Sequence, residues 1–162
     1  MLKPPFLRSG LGLAACVVLI DQATKAYFLA LLGEAGGRAI EVTPFFNLVA
    51  VWNYGVSFGL FNTGSPGAAW VLAALALGVV GALGLWLRRA EGRAVAAALG
   101  LVIGGAIGNV IDRLRFGAVF DFLDVHARGW HWPAFNVADS AIFLGVAVLV
   151  IDALFAGPEK TK

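Results

Sequence analysis

Charge is scarce in this chain. Lys, Arg, Asp and Glu make up 14% of its 162 residues, against roughly 25% in an ordinary soluble domain. With 60% hydrophobic residues and a mean hydropathy of +0.85, that scarcity excludes disorder and leaves an ordinary soluble enzyme too little polar surface. The net charge of +2 is too small for a polyanion-binding module, so no nucleic-acid partner is expected. Cys16 is the single cysteine, and no CxxC pair or Cys/His cluster accompanies it. An internal disulfide framework and a structural zinc site are therefore excluded. Internal repeats and low-complexity tracts are lacking too.

What the chain has is long apolar runs. The 22 residues from Pro66 to Leu87 carry no charge, and neither do the 18 from Ala94 to Ile111. Both are long enough to cross a bilayer of about 30 Å. Two further runs are interrupted. Ser9 to Ile20 meets Asp21 and Lys25 before resuming through Gly33, and Ser140 to Ile151 lies between Asp139 and Asp152. The expected fold class is a membrane protein, mainly α, with four transmembrane helices at about 10–32, 67–87, 94–112 and 136–155. The whole of 1–162 is expected to form a single integral membrane domain. A cleavable signal peptide is the competing reading of the first span. Asp21 and Lys25 disfavour it, because they fall where the apolar region should end cleanly, and no A-x-A site closely follows Ile20.

Basic residues set the orientation. Seven lie in the N-terminus, the link between spans two and three, and the C-terminus: Lys3, Arg8, Arg88, Arg89, Arg93, Lys160 and Lys162. The opposite side has Arg38, Arg113, Arg115 and Arg128 in longer loops. Both termini are therefore expected in the cytoplasm, with loops 33–66 and 113–135 outside. Ile40 to Phe61, rich in Val, Phe, Trp and Tyr, reads as one or two strands at the membrane surface. Trp130, Trp132 and Phe135 suit the interfacial belt.

Ionisable groups inside a span cost at least about 2.5–3.5 kcal/mol, so each needs a partner or a task. Asp21 and Lys25 share a helical face at i, i+4. A structural ion pair and a direct role both fit them. Gly105, Asn109, Asp112 and Arg113 share a face of the third span, beside a small-residue stripe of Gly100, Gly104 and Gly108 that permits close packing. Asp121 is an acid among large apolar residues, whereas Asp124 reads as a solvated loop acid. Asn136 and Asp139, spaced i, i+3 before an apolar run, read as a capping box; that role is compatible with a reactive carboxylate. His126 and His131 lack a carboxylate cluster for a metal site. Cys16 reads as a small core residue, and Ser57, Ser140 and Thr24 have no evident base at motif spacing.

Four blocks carry a family resemblance: Asp21-Gln-Ala-Thr-Lys25; Asn53-Tyr-Gly-Val-Ser-Phe-Gly59; Gly104-Gly-Ala-Ile-Gly-Asn109-Val-Ile-Asp-Arg113 followed by Gly117 and Val119-Phe-Asp121-Phe; and Phe135-Asn136-Val-Ala-Asp139-Ser140. Taken in this order, over nearly the whole chain, they resemble the bacterial lipoprotein signal peptidases (signal peptidase II). The resemblance implies an aspartyl endopeptidase of the cytoplasmic membrane, with a small extracytoplasmic β-cradle between the first and second spans. It implies Asp121 and Asp139 as the catalytic pair. Asn53, Asn109, Arg113 and Asn136 would line the site, with Gly105 counted beside them on the face of Asn109. Asp21 and Lys25 would be supports.

The implied substrate is a diacylglyceryl-modified prolipoprotein, cut just before its lipidated lipobox cysteine at the outer leaflet. Membrane lipid is an implied partner, a monomer is expected, and no metal or cofactor is needed. Two other readings fit the spans: an ion- or proton-coupled carrier with Asp21, Lys25 and Asp139 as a relay, and a metal-dependent lipid head-group transferase using Asp112, Asp121, Asp124 and Asp139.

Overall fold

The computed structural model describes residues 6–55 and 66–155. Its elements are α1 (Leu7–Glu34), β1 (Ile40–Thr43), β2 (Phe46–Asn53), α2 (Pro66–Leu87), α3 (Arg93–Phe116), β3 (Val119–Ala127), β4 (Trp130–His131) and α4 (Val137–Phe155). All four helices are long and apolar enough to cross a membrane. Their ends differ from the sequence expectation mainly at α1 and α3. The latter continues through Phe116, so Arg113 and Arg115 lie on helix rather than in the outer loop.

α3 is the hub, packing against each of the other three helices. In its most apolar stretch 56% of residues are buried, against 11–22% in the others. Its glycines explain the close fit. A Cβ at Gly100 would come within 2.5 Å of the Gly10 carbonyl oxygen, and one at Gly104 within 2.6 Å of that of Ala14, both on α1. Gly145 makes the same approach from α4, 2.6 Å from the Ala98 oxygen. Small residues thus let backbones approach where burying apolar area from lipid supplies little drive. Outward faces carry Trp70, Leu75, Leu85, Phe143 and Leu154, all exposed as lipid-facing side chains must be. Cys16 is also exposed on α1, which corrects its reading as a core residue.

The sheet is antiparallel in the order β1-β2-β3-β4. Strands β1 and β2 come from the loop between the first two spans, as expected. Strands β3 and β4 come from the second outer loop, where the sequence pattern predicts no strand. Gly117 makes that return possible. At φ +76 it ends α3 in a left-handed conformation that glycine adopts without strain, and the chain turns straight into β3. Val51 then pairs with Asp121, Trp52 with Phe120 and Asn53 with Val119. An isolated bridge between Leu123 and Phe135 draws the residues before α4 onto β3. The sheet rests on the end of α1 through Leu32, Phe120 and Phe122, with Phe28, Leu29 and Trp52 packed around them.

Candidate active site

Three segments meet at the sheet-side end of α3. β3 carries Asp121, 1% exposed. α4 begins beside it because of the Leu123–Phe135 bridge. Asn136 caps that helix: its side-chain oxygen accepts from the Asp139 N–H at 3.0 Å, while Asp139 Oδ2 accepts from the Asn136 N–H at 3.1 Å. Both halves of the capping box are formed. The Asn136 amide nitrogen also donates to Asp121 Oδ1 at 2.7 Å. One residue therefore touches both acids. Asn53, at the end of β2, donates to Asp121 Oδ2 at 3.2 Å. Asn109, on α3, donates to Asp139 Oδ1 at 2.8 Å.

Behind these amides lies an ionic network. Lys25 Nζ is 2.9 Å from Asp21 Oδ2 and 2.9 Å from Asp112 Oδ2, and all three side chains are buried. Lys25 also donates to Asn109 Oδ1 at 3.2 Å, which leaves the amide nitrogen of Asn109 free to face Asp139. Asp21 Oδ1 accepts the Ala138 N–H at 2.9 Å, tying α1 to the first turn of α4. Gln22 joins Asp112 at 2.9 Å. A cleft of about 310 Å³ between α1 and α3 is lined by Gln22, Lys25, Asp112, Arg115, Phe116 and Phe120 among others, but not by Asp121 or Asp139.

Burial, and then the neighbouring Asp139 charge, raise the Asp121 carboxyl from 3.8 to about 7. Hydrogen bonds from Asn53 and Asn136 and the charge of Lys25 pull the other way without cancelling that rise. Two carboxylates in such a site favour holding one proton between them. Asp124 behaves oppositely. Burial pushes it up, but His131 at 2.9 Å and Asn47 at 3.0 Å outweigh burial and hold it below the usual carboxylate range. At 6% exposure it is a buried, paired acid, which corrects its reading as a solvated one.

Arg113 reaches out of α3 to the Gly55 carbonyl oxygen at 2.9 Å, and its Nε is buried without a hydrogen-bond partner among the described residues. Residues 56–59, the rest of the second block with Ser57, lie outside the described residues. Gly105 sits in the α3–α4 contact, where a Cβ would run into the Ala138 carbonyl oxygen. It sets the closeness of the two helices rather than offering a polar group. Among the described residues, no three His, Cys, Asp or Glu side chains are grouped to hold a metal ion. Gln22 and Asp112 were absent from the expected site. Their signal was present in the same two blocks, Gln22 next to Asp21 and Asp112 next to Arg113.

The family model described as Signal peptidase (SPase) II matches residues 13–155. The chain belongs to the signal peptidase II family. Membership makes it an aspartic-type peptidase of bacterial membranes, and supports neither the carrier nor the head-group transferase. The protein named lipoprotein signal peptidase in Methylobacterium radiotolerans is 47% identical over 164 aligned positions, covering 98% of this chain and 92% of that protein. One of the same name from Methylobacterium sp. (strain 4-46) is 44% identical over 147 residues, covering 91% and 89%. Among solved structures, a bacterial membrane enzyme determined by the in meso method at 2.3 Å aligns with a TM-score of 0.76 at 27% identity, covering 100% of this chain and 98% of that one.

Proposed function

We propose that this signal peptidase cleaves diacylglyceryl-modified prolipoproteins just before the lipidated cysteine, with Asp121 and Asp139 as the catalytic pair. The observation that carries the assignment is Asn136, which joins the two carboxylates: its side-chain amide donates to Asp121 Oδ1 and its backbone N–H donates to Asp139 Oδ2. Asp139, facing donors from Asn109 and the start of α4, is the general base. It takes a proton from the attacking water as oxygen bonds to the scissile carbonyl carbon. Asp121 holds the pair's other proton and hydrogen-bonds the carbonyl oxygen as charge develops there. Collapse of the tetrahedral intermediate breaks the C–N bond, and the proton held by Asp139 passes to the leaving amine. Arg113, whose Nε has no partner among the described residues, offers its guanidinium to a substrate carbonyl oxygen, a role suited to its rigid fork of donors.

The substrate's acyl chains lie in the bilayer, so a site at the outer leaflet meets the cysteine at its own depth. The excess of basic residues on the cytoplasmic side supports that orientation, with both termini inside. The site as described needs no residue from a second copy, and a monomer is the proposed working unit. The experiment is cleavage by purified chain in detergent of a diacylglyceryl lipobox peptide and of the same peptide without lipid, with products weighed by mass spectrometry. Only the lipidated peptide should be cut, on the amino side of cysteine, with chelators present or absent. Equal cleavage of both peptides would refute the lipid requirement, and dependence on Mg²⁺ or Zn²⁺ would refute the mechanism.

A further inference from the structure

Asp112 has no part in the steps above, yet its carboxylate is among the most fully engaged groups in the protein. It is 1% exposed. Oδ1 accepts from Gln22, while Oδ2 accepts from Lys25 at 2.9 Å and from the backbone N–H of Phe120 at 3.1 Å. The last bond is the informative one. Phe120 immediately precedes Asp121, and its carbonyl oxygen accepts from Asn136 at 3.4 Å. The peptide units on either side of Phe120 are thus gripped, one from α3 and one from the cap of α4. The β2–β3 ladder alone is a poor ruler here, because its register shifts between Leu48 and Val51, next to the Val51–Asp121 pair. A second route runs to the other acid. Asp112 and Asp21 hold Lys25 between them, Lys25 orients Asn109, and Asn109 donates to Asp139.

We infer that Asp112 is a positioning residue for both catalytic carboxylates, fixing Asp121 through the Phe120 N–H and Asp139 through Lys25 and Asn109. The inference rests on the catalytic reading of Asp121 and Asp139. Groups that orient metal ligands alter activity about 10–100-fold when removed, and an effect of the same size is expected of a group that orients catalytic carboxylates. Asp112 also sets charge. Asp21 and Lys25 on α1, Arg113 on α3 and Asp139 on α4 all face the same region. Deleting the Asp112 charge leaves Lys25 and Arg113 less neutralised, which favours ionisation of Asp121.

The test compares Asp112→Asn, Asp112→Glu and Asp121→Asn in steady-state cleavage of a diacylglyceryl lipobox peptide across pH. Asp112→Asn should lower kcat about 10–100-fold with KM changed by less than about twofold. Its alkaline limb, where Asp121 loses its proton, should move to lower pH. Asp112→Glu keeps the charge but displaces the oxygens, so it should lower kcat and leave the limb in place; it decides the matter if Asp112→Asn does not fold. Wild-type kcat in either variant, or a loss confined to KM, overturns the positioning role. Activity in Asp121→Asn would instead overturn the catalytic reading beneath it.

Discussion

Holding Asp121 neutral should leave a signature in stability as well as in rate. Its carboxyl sits at about 7 in the folded chain, against an ordinary 3.8. Between those values the folded state binds more protons than the unfolded one, so stability falls as pH rises through that window and levels off above it. The full difference corresponds to about 4 kcal/mol, at about 1.4 kcal/mol per pKa unit. Asp121→Asn removes the titration while keeping a side chain of the same shape. The assay is thermal unfolding in detergent from about pH 5 to pH 8.5, wild type beside variant. Wild type should lose about 3 kcal/mol of stability from about pH 5 to about pH 7 and little beyond, whereas the variant should lose markedly less over the same range. Asp124, held low by His131 and Asn47, titrates below the window and does not blur the comparison. Parallel curves for the two proteins would refute the claim that burial and the Asp139 charge hold a proton on Asp121.

Other outcomes follow from single contacts. Lys25→Met strips the cation from two buried carboxylates and should cost about 3–5 kcal/mol, read as a large drop in Tm, whereas Arg115→Met on the exposed end of α3 should change it little. Gly104→Val should prevent α1 and α3 from closing and lower the folded yield in detergent, while Gly12→Val, with open space around its Cα, should not. Asn136→Ala removes the helix cap, worth about 1 kcal/mol, and the side-chain hydrogen bond to Asp121, leaving only the backbone N–H on Asp139. Its loss of kcat should far exceed what its modest change in Tm accounts for.

Much of this architecture was legible because lipid imposes a simple rule. Every spanning backbone must satisfy its own hydrogen bonds, so apolar length marked α1 through α4 directly. The glycine stripe was legible too, and the structure assigns Gly100, Gly104 and Gly108 to the face against α1. Asn136 and Asp139 announced a cap by spacing alone. The second half of the sheet was hidden for a physical reason. Val119 to Asp124 is buried on nearly every side chain, so it lacks the polar–apolar alternation of a half-exposed strand. Asp124 was misread because its partners, Asn47 and His131, come from another strand and from the far side of a hairpin. Asp112 shares a sequence face with Asn109 and Arg113, but one face of a helix can serve two neighbours. Asp112 turns to α1, whereas Arg113 turns to Gly55.

Whether Asp121 and Asp139 act as one unit is tested most directly by a double-mutant comparison: cleavage of the lipidated peptide by Asp121→Asn, by Asp139→Asn and by the chain carrying both. Groups that share one proton and one water fail together, so each single change should abolish nearly all turnover and the double change should cost little more than either. Substantial turnover in one single variant, or losses that multiply in the double, would contradict a shared catalytic site.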